Sequence, residues 1–362
     1  MVELYAREWE PTGEFYPDGG MSRAPAQPKR RFPVTERENL KLALDGKKPV
    51  YIPSTADMTP FAPRIIPDNR VRAWAIEADP IPPGTDVGVG PDMFGAIWEY
   101  VPVTGGSMVR GDEALIKDMG HWEDYVTFPD LDAWDWAGSA ASNRQYLKDS
   151  EDRLTRIWVL TGLNERLISL LSFAGTMTAY VDEEQKPGVH RFYDKLCNFY
   201  DDLIERFRTY YNADILMFND DWGTQRSPQF SPGVAREILM PYMKRLVDSC
   251  HKRGMYFELH CCGKNDLLAP VIAESGVDIW IPQEINDMEL LYRLIGDKVL
   301  LGVPADEKKE MTDEECLASA QEYMRKYGNG GHVLYSTGMN STTNPKMKEY
   351  MYYLSREAYL AR

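Results

Sequence analysis

Cysteine and histidine are both scarce in this chain, five of each in 362 residues. An odd number of cysteines in so long a chain gives no disulfide framework and points to a reducing cytoplasm. No run of about 18 apolar residues occurs, which excludes a membrane-spanning helix. The opening stretch, Met1-Val-Glu-Leu-Tyr-Ala-Arg-Glu-Trp-Glu, is acidic and aromatic and lacks the apolar core of a signal peptide. Also missing are a Walker-type phosphate loop, a Gly-x-Gly-x-x-Gly turn after the first strand and a Gly-x-Ser-x-Gly elbow. Basic residues are outnumbered, 41 against 56 acids, for a net charge of −15. Such a chain repels phosphate backbones, so nucleic acid is not an expected partner. The charge chiefly confers solubility and leaves room for a local basic patch. Hydrophobic residues at 43% and charged residues at 27% are those of an ordinary globular protein.

Residues 1–35 are rich in Pro, Gly and Arg, and read as an irregular arm lying over the body or reaching a second copy in a homodimer. Thr35 followed by Glu38 forms a capping box for a helix over Glu36 to Leu44, with Gly46 placed to end it. A repeating pattern then begins, in which short apolar runs end in polar or glycine-containing residues. The runs start at Val50, Ile157, Asp214, Met255, Val277, Val299 and His332. Helical stretches separate the later ones: Val189 to Tyr211, Ser231 to Arg253, Leu267 to Ser275 and Asp313 to Tyr327. Strands apolar on both faces that alternate with helices imply a parallel sheet covered by helices. Seven runs predict an α/β fold, a (β/α)8 TIM barrel with one strand hidden, spanning residues 36–362 as a single domain. A doubly wound open sheet is the alternative. The stretch 64–135 breaks the alternation and reads as an insertion, a small β structure near the barrel mouth.

Polar residues at the C-terminal ends of barrel strands line the active-site mouth. Here those ends supply Asp57, Asn164, Asp220, Asp221, His260, Cys262, Gln283, Glu284, Asp306, Ser336, Thr337 and Asn340. Some of them serve as caps of the helices that follow. The sharpest signal is Phe257-Glu-Leu-His-Cys-Cys-Gly263. Residues i and i+2 of a strand share a face, so His260 and Cys262 can reach one ion, and imidazole and thiolate suit zinc. A buried free cysteine beside a satisfied histidine is the plain alternative. The adjacent carboxylates of Asp220 and Asp221 point to opposite faces, so one enters the mouth while its neighbour caps or pairs. Cys197, Cys250 and Cys316 fall in helical stretches and read as packing.

Asp220-Asp-Trp-Gly-Thr-Gln, Phe230-Ser-Pro, Met240-Pro-Tyr-Met-Lys, Leu259-His-Cys-Cys-Gly and Glu274-Ser-Gly-Val-Asp together resemble the uroporphyrinogen decarboxylase superfamily. Within it the chain is most similar to the cobalamin-dependent methyltransferases; Trp98-Glu-Tyr-Val-Pro and Phe128-Pro-Asp-Leu-Asp also fit that branch. The resemblance covers most of residues 35 to 360 and implies a (β/α)8 barrel. The decarboxylases hold their substrate's many carboxylates with arginines from an N-terminal segment. The matching residues here, Pro49-Val-Tyr-Ile-Pro-Ser-Thr-Ala-Asp, contain none, which argues against porphyrinogen decarboxylation.

The resemblance implies zinc on His260 and Cys262. The branch's second cysteine is absent: Tyr335-Ser-Thr-Gly-Met-Asn-Ser stands there, with a thioether at Met339. Asp221 or Glu284 is then expected to complete the metal shell. The implied activity is transfer of a methyl group from a small methylated donor, such as an aryl methyl ether, to the cobalamin of a separate corrinoid protein. Zinc would serve as Lewis acid. Asp220 or Asp221 would orient the donor, and Trp98, Tyr100 and Trp222 would wall it. Asp57, Asn164, Gln283, Asp306 and Asn340 complete the expected substrate-binding set. The alternatives are a metal-free decarboxylase of the superfamily acting on a smaller acid, for which Arg226 is the obvious cation, and a non-catalytic corrinoid- or tetrapyrrole-binding protein.

Overall fold

The computed structural model describes residues 2–17, 27–79, 88–103, 106–110, 114–328, 332–337 and 344–360. In the arm, β1 (Pro11–Phe15) pairs antiparallel with β2 (Pro28–Arg30). Trp9 and Phe32 there pack on Tyr51 and Tyr352. The helix Glu36–Leu44 forms with its full capping box, Thr35 accepting from the Glu38 N–H and Glu38 from the Thr35 N–H. The stop at Gly46 holds too, since its φ of +67° is readily open only to glycine.

The barrel begins at β3 (Met58–Phe61). Between it and the next barrel strand lies a small antiparallel sheet of β4 (Gly90–Pro91), β5 (Ile97–Val101) and β6 (Gly106–Val109). The barrel continues through β7 (Leu154–Val159), β8 (Ile215–Asn219), β9 (Tyr256–Cys261), β10 (Ile279–Pro282), β11 (Leu300–Pro304) and β12 (Val333–Ser336). All seven barrel strands run parallel in the order β12-β11-β10-β9-β8-β7-β3. The fold is thus the expected α/β barrel of TIM type, a curled parallel sheet clad in helices.

One strand differs from expectation. The run from Val50 forms no ladder. It makes one parallel bridge, Ser54 to Tyr335, which closes the ring against β12, and the chain then turns through Thr55–Asp57 into β3. The hidden strand is therefore Met58–Phe61, masked in the sequence by Pro60, whose missing N–H cannot join a ladder.

Alternation sorts the side chains into layers. Met58, Leu154, Ile215, Ile279, Leu300 and Leu334, near the strand starts, meet Leu40 and Ala43 of the helix Glu36–Leu44. That helix stoppers the base of the barrel. One layer up, Arg156 and Glu258 form a buried ion pair, with Arg156 Nε donating to Glu258 at 2.6 Å. Above them stand Asn219 and His260, register partners on β8 and β9. The outward residues, such as Ile157, Leu216, Phe218, Phe257, Leu259 and Leu301, belong to the main core beneath the helices. Four strand residues at about 3.3 Å each separate the base from His260, about 13 Å.

Candidate metal centre

Three donor groups meet at the mouth. Atoms of Asp221, His260 and Cys262 all lie within 4.8 Å of one another, and all three residues are half-buried. His260 Nε2 and Cys262 Sγ are 3.4 Å apart. The Cys262 N–H donates to Asp221 Oδ1 at 2.6 Å, which fixes the carboxylate beside the thiol.

Glycines hold this arrangement. Gly263 has φ +90°, and a Cβ there would run into the backbone of Gly223. A Cβ on Gly223 would stand 2.8 Å from the Cys262 carbonyl. The two loops thus touch main chain to main chain, tied by Gly223 N–H to Cys262 C=O at 3.2 Å and Lys264 N–H to Thr224 C=O at 2.8 Å. Asn265 donates to the Cys262 carbonyl at 2.8 Å, and the Gly263 N–H donates to Gln283 Oε1 at 2.8 Å. Cys261, on the opposite face of the strand, accepts from the Trp222 N–H and from Asn265.

The adjacent carboxylates part company. Asp220 is fully buried and accepts from the Glu165 N–H at 3.0 Å and the Trp222 indole at 2.7 Å. It serves as N-cap for the helix Leu163–Leu171, whose own cap residue Gly162 has no side chain to offer. A Cβ on Gly162 would lie 2.6 Å from Asp220 Cβ, so glycine is what admits the carboxylate. Burial raises Asp220 to about 7, against the lowering effect of those two hydrogen bonds.

Electrostatics at the mouth favour a cation. Burial, then the neighbouring Asp221 carboxylate, pushes the Cys262 thiol up. Burial lowers His260, keeping the imidazole neutral and able to ligate. A bound cation reverses the penalty on the thiol by taking it as thiolate. The geometry agrees: zinc–sulfur and zinc–nitrogen bonds of about 2.3 and 2.0 Å at a tetrahedral angle give a ligand edge of about 3.5 Å. Carboxylate, imidazole and thiol form a donor set that fits zinc and leaves a fourth position open.

The other expected residues scatter. Glu284 is exposed and stands outside the converging group, so Asp221 is the carboxylate at this site. Asn164 and Trp222 are buried supports: Asn164 donates to the Asp221 carbonyl at 2.7 Å and accepts from Tyr180, and Trp222 packs against Phe230. Trp98 is buried in the small sheet with its indole on Asp92, while Tyr100 is 49% exposed. Asp306 is exposed and helps line an outer cavity with Met288 and Tyr323. Asp57 precedes β3 level with Arg153, at the base of the barrel, and accepts from the N–H and hydroxyl of Ser54. It misses the mouth because the run before it is not a ladder strand. Asn340 and Met339 lie outside the described residues. Arg226 is exposed.

Two residues at the mouth escaped the sequence reading. Glu165 accepts from Asn219 and sits 3.4 Å from Arg72. Burial raises it to about 8, with Arg72 opposing and Asp221 adding to the rise. Arg72 also donates to the Leu160 carbonyl at 2.7 Å and lies over the Trp98 ring at 4.3 Å, joining the small sheet to the barrel. Glu165 was findable, one residue past Asn164 at a strand end. Arg72 lies in the insertion, where no periodicity marks it.

Among the described residues no helix is long and apolar enough to cross a membrane. No curated protein matches the sequence. Among solved structures, a methyltransferase from Methanosarcina mazei superposes with a TM-score of 0.56 at 14% identity, over 90% of this chain and 99% of that one. A sugar phosphate isomerase/epimerase from Parabacteroides distasonis gives a TM-score of 0.32 at 12% identity, over 66% and 81%. The model of the family described as uroporphyrinogen decarboxylase matches residues 173–354, just over half of the chain and the half that carries Asp221, His260 and Cys262. The chain belongs to the uroporphyrinogen decarboxylase family.

Proposed function

We propose that the protein is a methyltransferase that takes a methyl group from a small methylated donor, an aryl methyl ether being the favoured class, and delivers it to the corrinoid of a separate protein. The observation that carries this reading is the convergence of Asp221, His260 and Cys262. These three residues would hold zinc. When bound, zinc supplies Lewis acidity toward a donor oxygen. The chain's own part is to keep the imidazole neutral, to orient the carboxylate through the Cys262 N–H and to hold both loops rigid at the glycine contact. Losing such a support around a metal ligand typically costs about 10–100-fold in affinity. The corrinoid protein would dock over the barrel mouth, since the acceptor must approach the donor directly.

The arginines count against the decarboxylase alternative. Arg72 donates to the Leu160 carbonyl at 2.7 Å and Arg156 is held by Glu258, so both guanidiniums already have partners within the chain. Metal analysis of protein purified without chelator or affinity tag tests the proposal. About one zinc per chain is expected, lost in Cys262→Ala and in Asp221→Ala and kept in Glu284→Ala. A wild-type protein that takes up no metal when zinc is supplied would overturn it.

A further inference from the structure

A second cavity lies at the other end of the barrel, with a volume of about 160 Å³. Its walls come from three separate parts of the chain: the arm, the barrel base and the helix Pro345–Leu360. None of Asp221, His260 and Cys262 reaches it.

Three polar side chains facing this cavity, Tyr51, Arg153 and Lys348, keep donors without acceptors. The Tyr51 hydroxyl and Arg153 Nε are buried with no hydrogen-bond partner among the described residues, and Tyr51 is only 3% exposed. The fields of Asp57 and Glu36 act on the Tyr51 hydroxyl, which places it among the charged groups of the cavity. The Lys348 ammonium completes the donor set, with no hydrogen-bonded partner among the described residues. Burial pushes the Lys348 ammonium down, with Asp57 and Glu307 opposing and Arg153 and Arg30 adding to the fall.

The acids present are already engaged. Asp57 takes both hydrogen bonds of Ser54, and Glu36 takes the Tyr16 hydroxyl at 2.7 Å and pairs with the far end of the Arg153 guanidinium at 3.7 Å, leaving Arg153 Nε free. Unanswered buried donors are costly, and here they are the Tyr51 hydroxyl and Arg153 Nε, with the half-buried Lys348 ammonium beside them. One part of the wall is aromatic, with Phe32 stacked on Tyr352 at 4.6 Å and Trp9 at 5.5 Å from Tyr352. An apolar cavity of about 150 Å³ is enough to take benzene.

We propose that this cavity is a binding site for a small aromatic carboxylate. The carboxylate would accept from Lys348, Tyr51 and Arg153, and the ring would lie against Phe32 and Tyr352. Such a ligand would pin the arm to the barrel, because each wall belongs to a different segment.

Titration calorimetry of the full chain with benzoate, and separately with inorganic phosphate, tests this. Benzoate is expected to bind at one site at millimolar concentrations or below, and phosphate not to displace it. Lys348→Met should weaken benzoate by about tenfold or more, the worth of one charge-assisted hydrogen bond. Tyr51→Phe, a milder change, should weaken it several-fold, with melting temperature and circular dichroism of both variants as controls for folding. His260→Ala should leave benzoate binding unchanged, which separates this site from the mouth and from the methyltransferase reading. Three results would overturn the proposal: no benzoate binding, binding lost in His260→Ala, or binding indifferent to both Lys348→Met and Tyr51→Phe. Displacement of benzoate by phosphate would overturn the aromatic assignment.

Discussion

Two clusters of buried ionisable groups in this molecule are built on opposite terms. Where the small sheet joins the barrel, Arg166 donates to Asp92 at 2.5 Å and to Asp68, all three residues being buried. Asp92 further accepts from the Phe94 and Ala96 N–H groups and the Trp98 indole. At the mouth, Asp221, His260 and Cys262 converge with no cationic side chain among them. The guanidiniums nearby, Arg72 and Arg156, already have partners in the Leu160 carbonyl and Glu258. The first cluster is closed, because its counter-charge is part of the chain. The second has no counter-charge of its own within the group, which is what the proposed zinc would supply.

Breaking the closed cluster should have the largest effect. Arg166→Met strands two carboxylates in the core and is expected to cost about 3–5 kcal/mol, read as a lower urea midpoint. A loss under about 1 kcal/mol would show the knot to be far better solvated than its burial indicates.

The open cluster should respond to what is added. Zinc at about a thousandfold above its dissociation constant should stabilise the wild-type protein by about 4 kcal/mol, seen as a raised melting temperature. Cys262→Ala should melt at one temperature with or without zinc. An equal rise in that variant would place the metal elsewhere.

The base offers an intermediate case, a carboxylate poorly matched by cations. Asp57 is raised from 3.8 to about 6, first by burial, then by Glu36, against the Ser54 hydrogen bonds and Arg153. Lys348, across the cavity, also acts on it. The folded state therefore holds a proton between pH 3.8 and about 6 that the unfolded chain has released. Stability falls as pH rises through that window, by on the order of 2–3 kcal/mol. Asp57→Asn should flatten this part of the stability-against-pH curve while leaving the rest in place. An unchanged slope would remove Asp57 from the account.

The smallest effect should come from the loop support at the mouth. Gln283→Leu leaves the Gly263 N–H without its acceptor and should cost about 1 kcal/mol in urea unfolding. Zinc stoichiometry should not change, because Gln283 holds the loop backbone at Gly263 and is not one of the three converging donors.

Much of this architecture is local and was legible. Strand alternation alone put His260 and Cys262 on one face and divided Asp220 from Asp221, because neighbouring residues of a strand point to opposite sides. The capping box at Thr35 and Glu38 and the helix from Asp313 to Tyr327 follow from nearest-neighbour chemistry in the same way. The expectation that Asp57 stands at the mouth failed because it required Val50 to Ser54 to be a ladder strand. Pairing depends on which distant backbone offers partners, and there β12 offers one bridge.

What the sequence by itself determined is therefore the alternating parallel barrel, the face shared by His260 and Cys262, and the family, since all of these are written in short-range periodicity and motif. Only the tertiary structure decided that Asp221 rather than Glu284 joins the pair, because that depends on the register of β8 against β9 and on the glycine contact between their loops. It also decided that Asn164 and Trp222 are supports, that Arg72 and Glu165 stand at the mouth, and that Lys348 and Tyr51 face one cavity. Each of these joins residues far apart in the chain, and no local pattern records which of them will meet.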